Sequence, residues 1–111
     1  MKIEIVRGTT NTFDIPIKDA NGQKYTLAAD EKVVFGIKRH LKDAEPVFVK
    51  TVTAGSNGVY PVTIVPSDTE DLDPGRYFYD VGLQSGDDYF NVIEPSLFII
   101  QSNVTKWGAG A

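Results

Sequence analysis

Few side chains in this sequence have the type and spacing for chemistry. The single histidine, His40, lies in Lys38-Arg39-His40-Leu41-Lys42. A histidine relays protons or holds a metal only with partners, and cationic neighbours disfavour its charged form, so His40 reads as a solvated loop residue. Carboxylates gather at Asp68, Glu70, Asp71 and Asp73, and again at Asp87-Asp88. Calcium takes about six to eight oxygens, but the spacing lacks the glycine that an EF-hand loop requires, and helix capping with solvation accounts for the cluster. Paired carboxylates can also flank a glycosidic bond, yet any Asp- and Glu-rich chain offers such pairs. Cysteine is absent, which removes disulfides, thiolate ligands and thiol nucleophiles together. No phosphate-binding glycine loop, serine-hydrolase elbow or paired-histidine zinc helix occurs. The residues therefore assign no catalytic, cofactor-binding or metal-binding role, and the chain reads as non-enzymatic.

What remains is contact chemistry. Lys38, Arg39, Lys42 and Lys50 form the basic cluster. It suits phosphate or an anionic glycan, or equally a solvated edge strand protected by lysine. Phe78, Phe90, Phe98 and Trp107 fall out of phase with their inward-facing neighbours or lie near the end, so they read either as exposed rings of an interface or a sugar-stacking platform, or as rings of strands covered on both faces, with Trp107 closing one end of the core. Lys38, Arg39, Lys42, Phe78 and Trp107 are the interface candidates. Eleven basic against fifteen acidic residues give a net charge of −4, which argues against general nucleic-acid binding. That charge divides unevenly, as +2 over residues 1–65 and −6 over residues 66–111, which suggests a head-to-tail contact between unlike regions. Asn103-Val104-Thr105 is a glycosylation sequon without a signal peptide. No apolar run approaches the about 20 residues of a spanning helix.

The elements that must position these residues are strands. Apolar residues recur with period two at Ile3 and Ile5, at Phe13, Ile15 and Ile17, at Val33, Phe35 and Ile37, and at Val47 and Val49. The pattern continues at Tyr60, Val62 and Ile64, at Tyr77, Tyr79, Val81 and Leu83, and from Tyr89 to Ile100 as one strand broken near Pro95 or two short ones. Turn-forming runs separate them: Asp19-Ala20-Asn21-Gly22, Gly55-Ser56-Asn57-Gly58 and Ser85-Gly86-Asp87-Asp88. Pro16 marks an edge strand or bulge. One helical turn is expected, capped by Ser67 with Glu70 and stopped by Pro74-Gly75. The expected architecture is all-β: an immunoglobulin-like antiparallel β-sandwich of seven to eight strands with one short helical turn. It fills residues 1–106, and residues 107–111 form a flexible tail. Phe13, Ile15, Ile17, Phe35, Ile37, Val62, Ile64, Tyr77, Tyr79 and Val81 are the expected core.

The densest local information lies in Asp73-x-Gly75-x-Tyr77, which opens a strand directly after the helical turn. This is the sequence shape of a tyrosine corner, in which a buried tyrosine near the start of the penultimate strand bonds its hydroxyl back to upstream backbone. Tyr79 stands where antibody domains carry a cysteine, so aromatic packing replaces an inter-sheet disulfide.

Five stretches in order carry a family resemblance. They are Arg7-Gly8-Thr9-Thr10 with Phe13 to Gly22, Val34-Phe35-Gly36-Ile37-Lys38-Arg39, Pro66 to Leu83, Val92-Ile93-x-Pro95-x-x-Phe98-x-Ile100, and Asn103-Val104-Thr105. Together they resemble small immunoglobulin-like virion proteins of bacteriophages and prophages of Gram-positive bacteria, and the immunoglobulin-like N-terminal domain of baseplate upper proteins. The Asp68–Asp80 block is the most specific part. The resemblance implies a non-enzymatic structural protein of the virion, in tail, baseplate or capsid decoration. Such a protein is made in the host cytoplasm, contacts other virion proteins and oligomerises with the particle's symmetry, with no nucleic-acid or membrane partner. It departs from baseplate upper proteins in showing no receptor-binding or coiled-coil extension. A carbohydrate- or host-surface-binding module is the alternative, and a small hydrolase using the acidic loop is a weaker third reading.

Overall fold

The computed structural model describes residues 2–103. Trp107, the sequon's threonine and the expected 106/107 boundary lie outside them. Within them the chain forms seven strands and one helical turn. These are β1 (Ile3–Val6), β2 (Asn11–Pro16), β3 (Glu31–Lys38), β4 (Phe48–Val52), β5 (Val59–Ile64), α1 (Pro66–Thr69), β6 (Gly75–Ser85) and β7 (Asp88–Gln101).

The strands form a five-stranded sheet in the order β1-β7-β6-β3-β4 and a two-stranded sheet of β2 and β5. Period-two burial follows from the pleat: Val33, Phe35 and Ile37 of β3 face inward, as do Tyr60, Val62 and Ile64 of β5. The two inner faces meet in one core, so the chain is an all-β sandwich. Four of the five pairings are antiparallel. The exception is β1, which lies parallel to β7 with Ile3 beside Phe98 and Val6 beside Gln101. Of the expected core, only Phe13 is half-buried; its ring still stacks on Phe35 at 6.5 Å.

Three details differ from the sequence reading. First, Val47 and Val49 do share a face, but it is the exposed one; Phe48 and Val52 pack toward the core. Second, the N-cap of α1 lies two residues before the expected one. Val65 is its N-cap, Pro66 takes the first helical position, and Asp68 Oδ2 accepts the Val65 N–H at 2.8 Å. Proline is pre-set for that first position and its missing N–H costs nothing there, which outweighs the Ser67–Glu70 spacing. Third, Phe98 is fully buried rather than exposed. The β6–β7 register slips between the Tyr79/Ser96, Val81/Ile93 and Leu83/Phe90 pairs, so inward phase passes from Phe90 to Ile93 to Ser96 and then Phe98. Asn91 sits at this irregularity, and its carboxamide nitrogen reaches the carbonyls of Val81 and Ile93 at 3.1 and 3.0 Å.

The +2 and −6 segments are interleaved in the fold: β3 of the first pairs with β6 of the second from Glu31/Ser85 to Lys38/Phe78, and Lys50 Nζ meets Asp68 Oδ2 at 2.7 Å.

Candidate functional site

The first region is the corner at the start of β6. The Tyr77 hydroxyl donates to the Asp73 carbonyl at 2.7 Å, and the ring around it is buried. This back-bond is the one that defines a tyrosine corner. Left unpaired, such a hydroxyl would cost about 1–3 kcal/mol. Gly75 makes the approach with φ of 141°, and a Cβ there would lie 2.9 Å from Arg39 Nη1. Glycine is therefore required by conformation, and a Cβ would in addition push the flexible end of Arg39 aside. Arg39 places its guanidinium 4.6 Å from the Tyr77 ring centroid and donates to the Arg76 carbonyl at 3.1 Å. An expected interface cation is thus engaged by the corner itself.

Sequence-distant residues converge on the same pole. The Gly8 N–H donates to Thr69 Oγ1 at 2.8 Å, with Thr69 fully buried. Arg7 reaches the Leu72 carbonyl and Asn103 Oδ1, each at 3.4 Å. Four of the five stretches that carry the resemblance meet here through hydrogen bonds, those of Arg7-Gly8, Arg39, Pro66 to Leu83, and Asn103. Tyr79, two residues beyond Tyr77, is buried with its ring 5.2 Å from Phe35 and 6.1 Å from Phe98. Burial pushes its phenol above the ordinary value, with a hydrogen bond to Ser96 opposing.

The second region is the outer face of the five-stranded sheet. A groove of about 260 Å³ crosses it, lined by Val34, Gly36, Lys38, Phe78, Asp80 and Tyr89, with Leu41, Pro46 and Pro95 at its margins. Gly36 lines its floor, and Gly82 makes room for one of its walls. Tyr89 lies across Gly82 so closely that a Cβ there would fall 2.0 Å from its hydroxyl oxygen, and Gly36 leaves the Asp80 carboxylate 3.8 Å from where its own Cβ would stand. Burial and then the Asp80 charge raise the Tyr89 phenol above its ordinary value. Leu41, Val47, Val49 and Tyr89 are all exposed on or beside this face. The result is an apolar, aromatic-walled depression with one cation and one anion.

The interface candidates thus separate. Lys38 and Phe78 line the groove, Arg39 serves the corner, Lys42 is exposed in the loop after β3, and Trp107 is outside the described residues. Lys50 is paired to Asp68. His40 is exposed, with its N–H on Asp43 Oδ2 at 3.1 Å. Sequence reasoning missed Tyr89, Asp80 and Gly36 as groove residues and Gly82 as the residue that makes room for Tyr89. The available signal was Gly82 inside a strong strand pattern, which marks close approach by another group.

The third region is the opposite pole, around the β6–β7 hairpin. Glu31 is buried, and its carboxylate accepts the Ala28 N–H at 2.8 Å and the Tyr25 hydroxyl at 2.7 and 2.8 Å. The Ala28 N–H, the Tyr25 hydroxyl and Ser85 hold its carboxyl below the ordinary value, and the same bond to Glu31 raises the Tyr25 phenol. The Tyr60 hydroxyl donates to the Tyr25 carbonyl at 2.6 Å and accepts the Leu27 N–H at 3.0 Å, fixing the long β2–β3 connection. Among the described residues, no three His, Asp or Glu side chains gather closely enough to hold a metal ion.

The chain matches no protein-family model and no curated protein sequence.

Proposed function

We propose that the protein is an immunoglobulin-like structural subunit of a bacteriophage or prophage particle, attaching to other virion proteins at tail, baseplate or head surface without catalysis. Two lines support the fold family. β3, β6 and β7 lie side by side as C, F and G do in immunoglobulin sandwiches, and β2 pairs with β5 as B does with E. The block most specific to the resemblance forms the Tyr77–Asp73 corner. The observation that carries attachment is the outer-face groove, because an apolar depression flanked by exposed Leu41, Val47, Val49 and Tyr89 is a contact surface rather than ordinary solvated sheet.

A second reading has its own support. Phe78 and Tyr89 present rings beside the Asp80 carboxylate and Lys38, which suits a sugar stacked on aromatics and hydrogen-bonded at its edge.

Binding of the purified protein to separate tail, baseplate and capsid proteins of phages and prophages of Gram-positive bacteria, and to a panel of bacterial cell-wall glycans, tests both. Saturable binding to one virion protein is expected, weakened on the order of tenfold by Phe78→Ala or Tyr89→Ala with circular dichroism unchanged. Gly82→Ala should act in the same direction by displacing Tyr89. Glycan binding alone would replace the particle reading with the second one, and binding to neither would remove both.

A further inference from the structure

The hairpin pole carries a site that the groove does not explain. β1 covers β7 only from Phe98 to Gln101. Among the described residues, the stretch Asp88–Glu94 therefore has β6 on one side and no strand on the other. β2 pairs with β5 alone, so its other side is bare as well. Between the start of the β2–β3 connection and the β7 stretch lies an open hollow of about 720 Å³, walled by Tyr25, Leu83, Phe90 and Val92, with one cation, Lys18, and two carboxylates, Asp19 and Glu31, also lining it. Phe90 stands opposite Leu83, on the strand side that faces inward, yet it is 55% exposed.

A bare edge offers a row of backbone donors and acceptors, which only another extended segment satisfies in register. The apolar hollow adds a demand for apolar side chains at alternate positions. Charge then decides whose strand it is. Residues 87–94 carry Asp87, Asp88 and Glu94 and no lysine or arginine. A second copy laid along this stretch would bring the Asp87, Asp88 and Glu94 carboxylates of both chains together with no base between them, and like charges oppose that association. Acidic residues alone would protect the edge against association, but protection does not call for an exposed phenylalanine over an apolar hollow.

We propose that β7 from Asp88 to Glu94, with the hollow beneath Phe90, is a strand-acceptor site for an extended segment of a partner protein that is apolar at alternate positions and basic between them. The site requires only the bare edge, the hollow and their charge, so it stands apart from the groove and from the particle reading.

Two synthetic heptapeptides serve as probes, one alternating lysine with valine and one alternating glutamate with valine. Each is titrated against the full chain while amide hydrogen exchange is followed by NMR. The basic peptide should bind saturably and slow exchange across Asp88–Glu94 by on the order of tenfold or more, and the acidic one should not bind. Phe90→Ser should weaken binding about tenfold and Phe78→Ser should leave it unchanged, with both variants folded by circular dichroism. Equal binding of the two peptides, protection confined to the β4 or β1 edge, or no protection anywhere would overturn the proposal. Peptide-independent protection of Asp88–Glu94 that grows with protein concentration would also overturn it, by making a second copy the occupant.

Discussion

Phe98 and Phe90 belong to one strand, face the same side of it, and live in opposite surroundings. Phe98 stands opposite Tyr77, is fully buried, and meets Phe35 and Tyr79 edge-on at 6.4 and 6.1 Å. Phe90 stands opposite Leu83 and remains mostly in water. The difference lies in what covers them. At the corner pole β1, α1 and the Arg7-Gly8 segment close the sandwich with hydrogen bonds from three parts of the chain. At the hairpin pole the β6–β7 pair continues while the smaller sheet gives way to a connection. A ring's burial is set by the opposite layer and not by its own strand, and the two poles divide stability from availability accordingly.

The comparison breaks most visibly at those two rings. Phe98→Ala should cost about 3–5 kcal/mol in denaturant titration, and Phe90→Ala should stay within about 0.5 kcal/mol. Equal losses would show that the hairpin pole is packed after all. Next in size is Gly75→Ala, which forces a side chain into φ of 141° and against Arg39; a loss of about 1–3 kcal/mol is expected. Tyr77→Phe removes the bond to Asp73 and should cost about 1 kcal/mol. An unchanged unfolding midpoint would mean that the back-bond contributes nothing to the corner. The smallest effect sharpens the other pole. Glu31 has a carboxyl held below its ordinary value, so its contribution is complete above the ordinary carboxyl range and is lost as pH falls through the lowered one. Glu31→Gln should therefore flatten the acid limb of a melting-temperature series run from about pH 6 to about pH 3. An acid limb as steep as the parent's would assign the pH dependence to other carboxylates.

Much of the fold was legible because period two is a backbone property. The alternations at Val33–Ile37, Tyr60–Ile64 and Tyr77–Leu83 each became a strand with the expected inward face. So did the corner, where Asp73, Gly75 and Tyr77 sit close enough in sequence for local geometry to decide. What failed was phase across an irregularity. The slip between Ile93 and Ser96 reverses the inward phase of β7 and the slip between Asn91 and Ile93 reverses it back; Pro95 marked a break there but not the change of face, so Phe98, counted from Ile93, read as exposed. The groove was half legible. Lys38 and Phe78 stood out as charge and aromatic, but Tyr89 reaches the face by lying over Gly82, a contact between residues that meet only when β6 and β7 pair. Lys50 and Arg39 looked free because their partners, Asp68 and Tyr77, are remote in sequence.

The parallel placement of β1 has a mechanical consequence. Ile3 lies beside Phe98 and Val6 beside Gln101, so a pull that drew the two ends of the described chain apart would slide β1 and β7 past each other along their length. The ladder bonds between parallel strands run across that direction. They would be loaded together, in shear, and none could open ahead of the rest as at the end of a zipper. A chain under tension between those ends would then resist as a clasp whose strength is the sum of its bonds, while the hairpin at the far pole would bear no load.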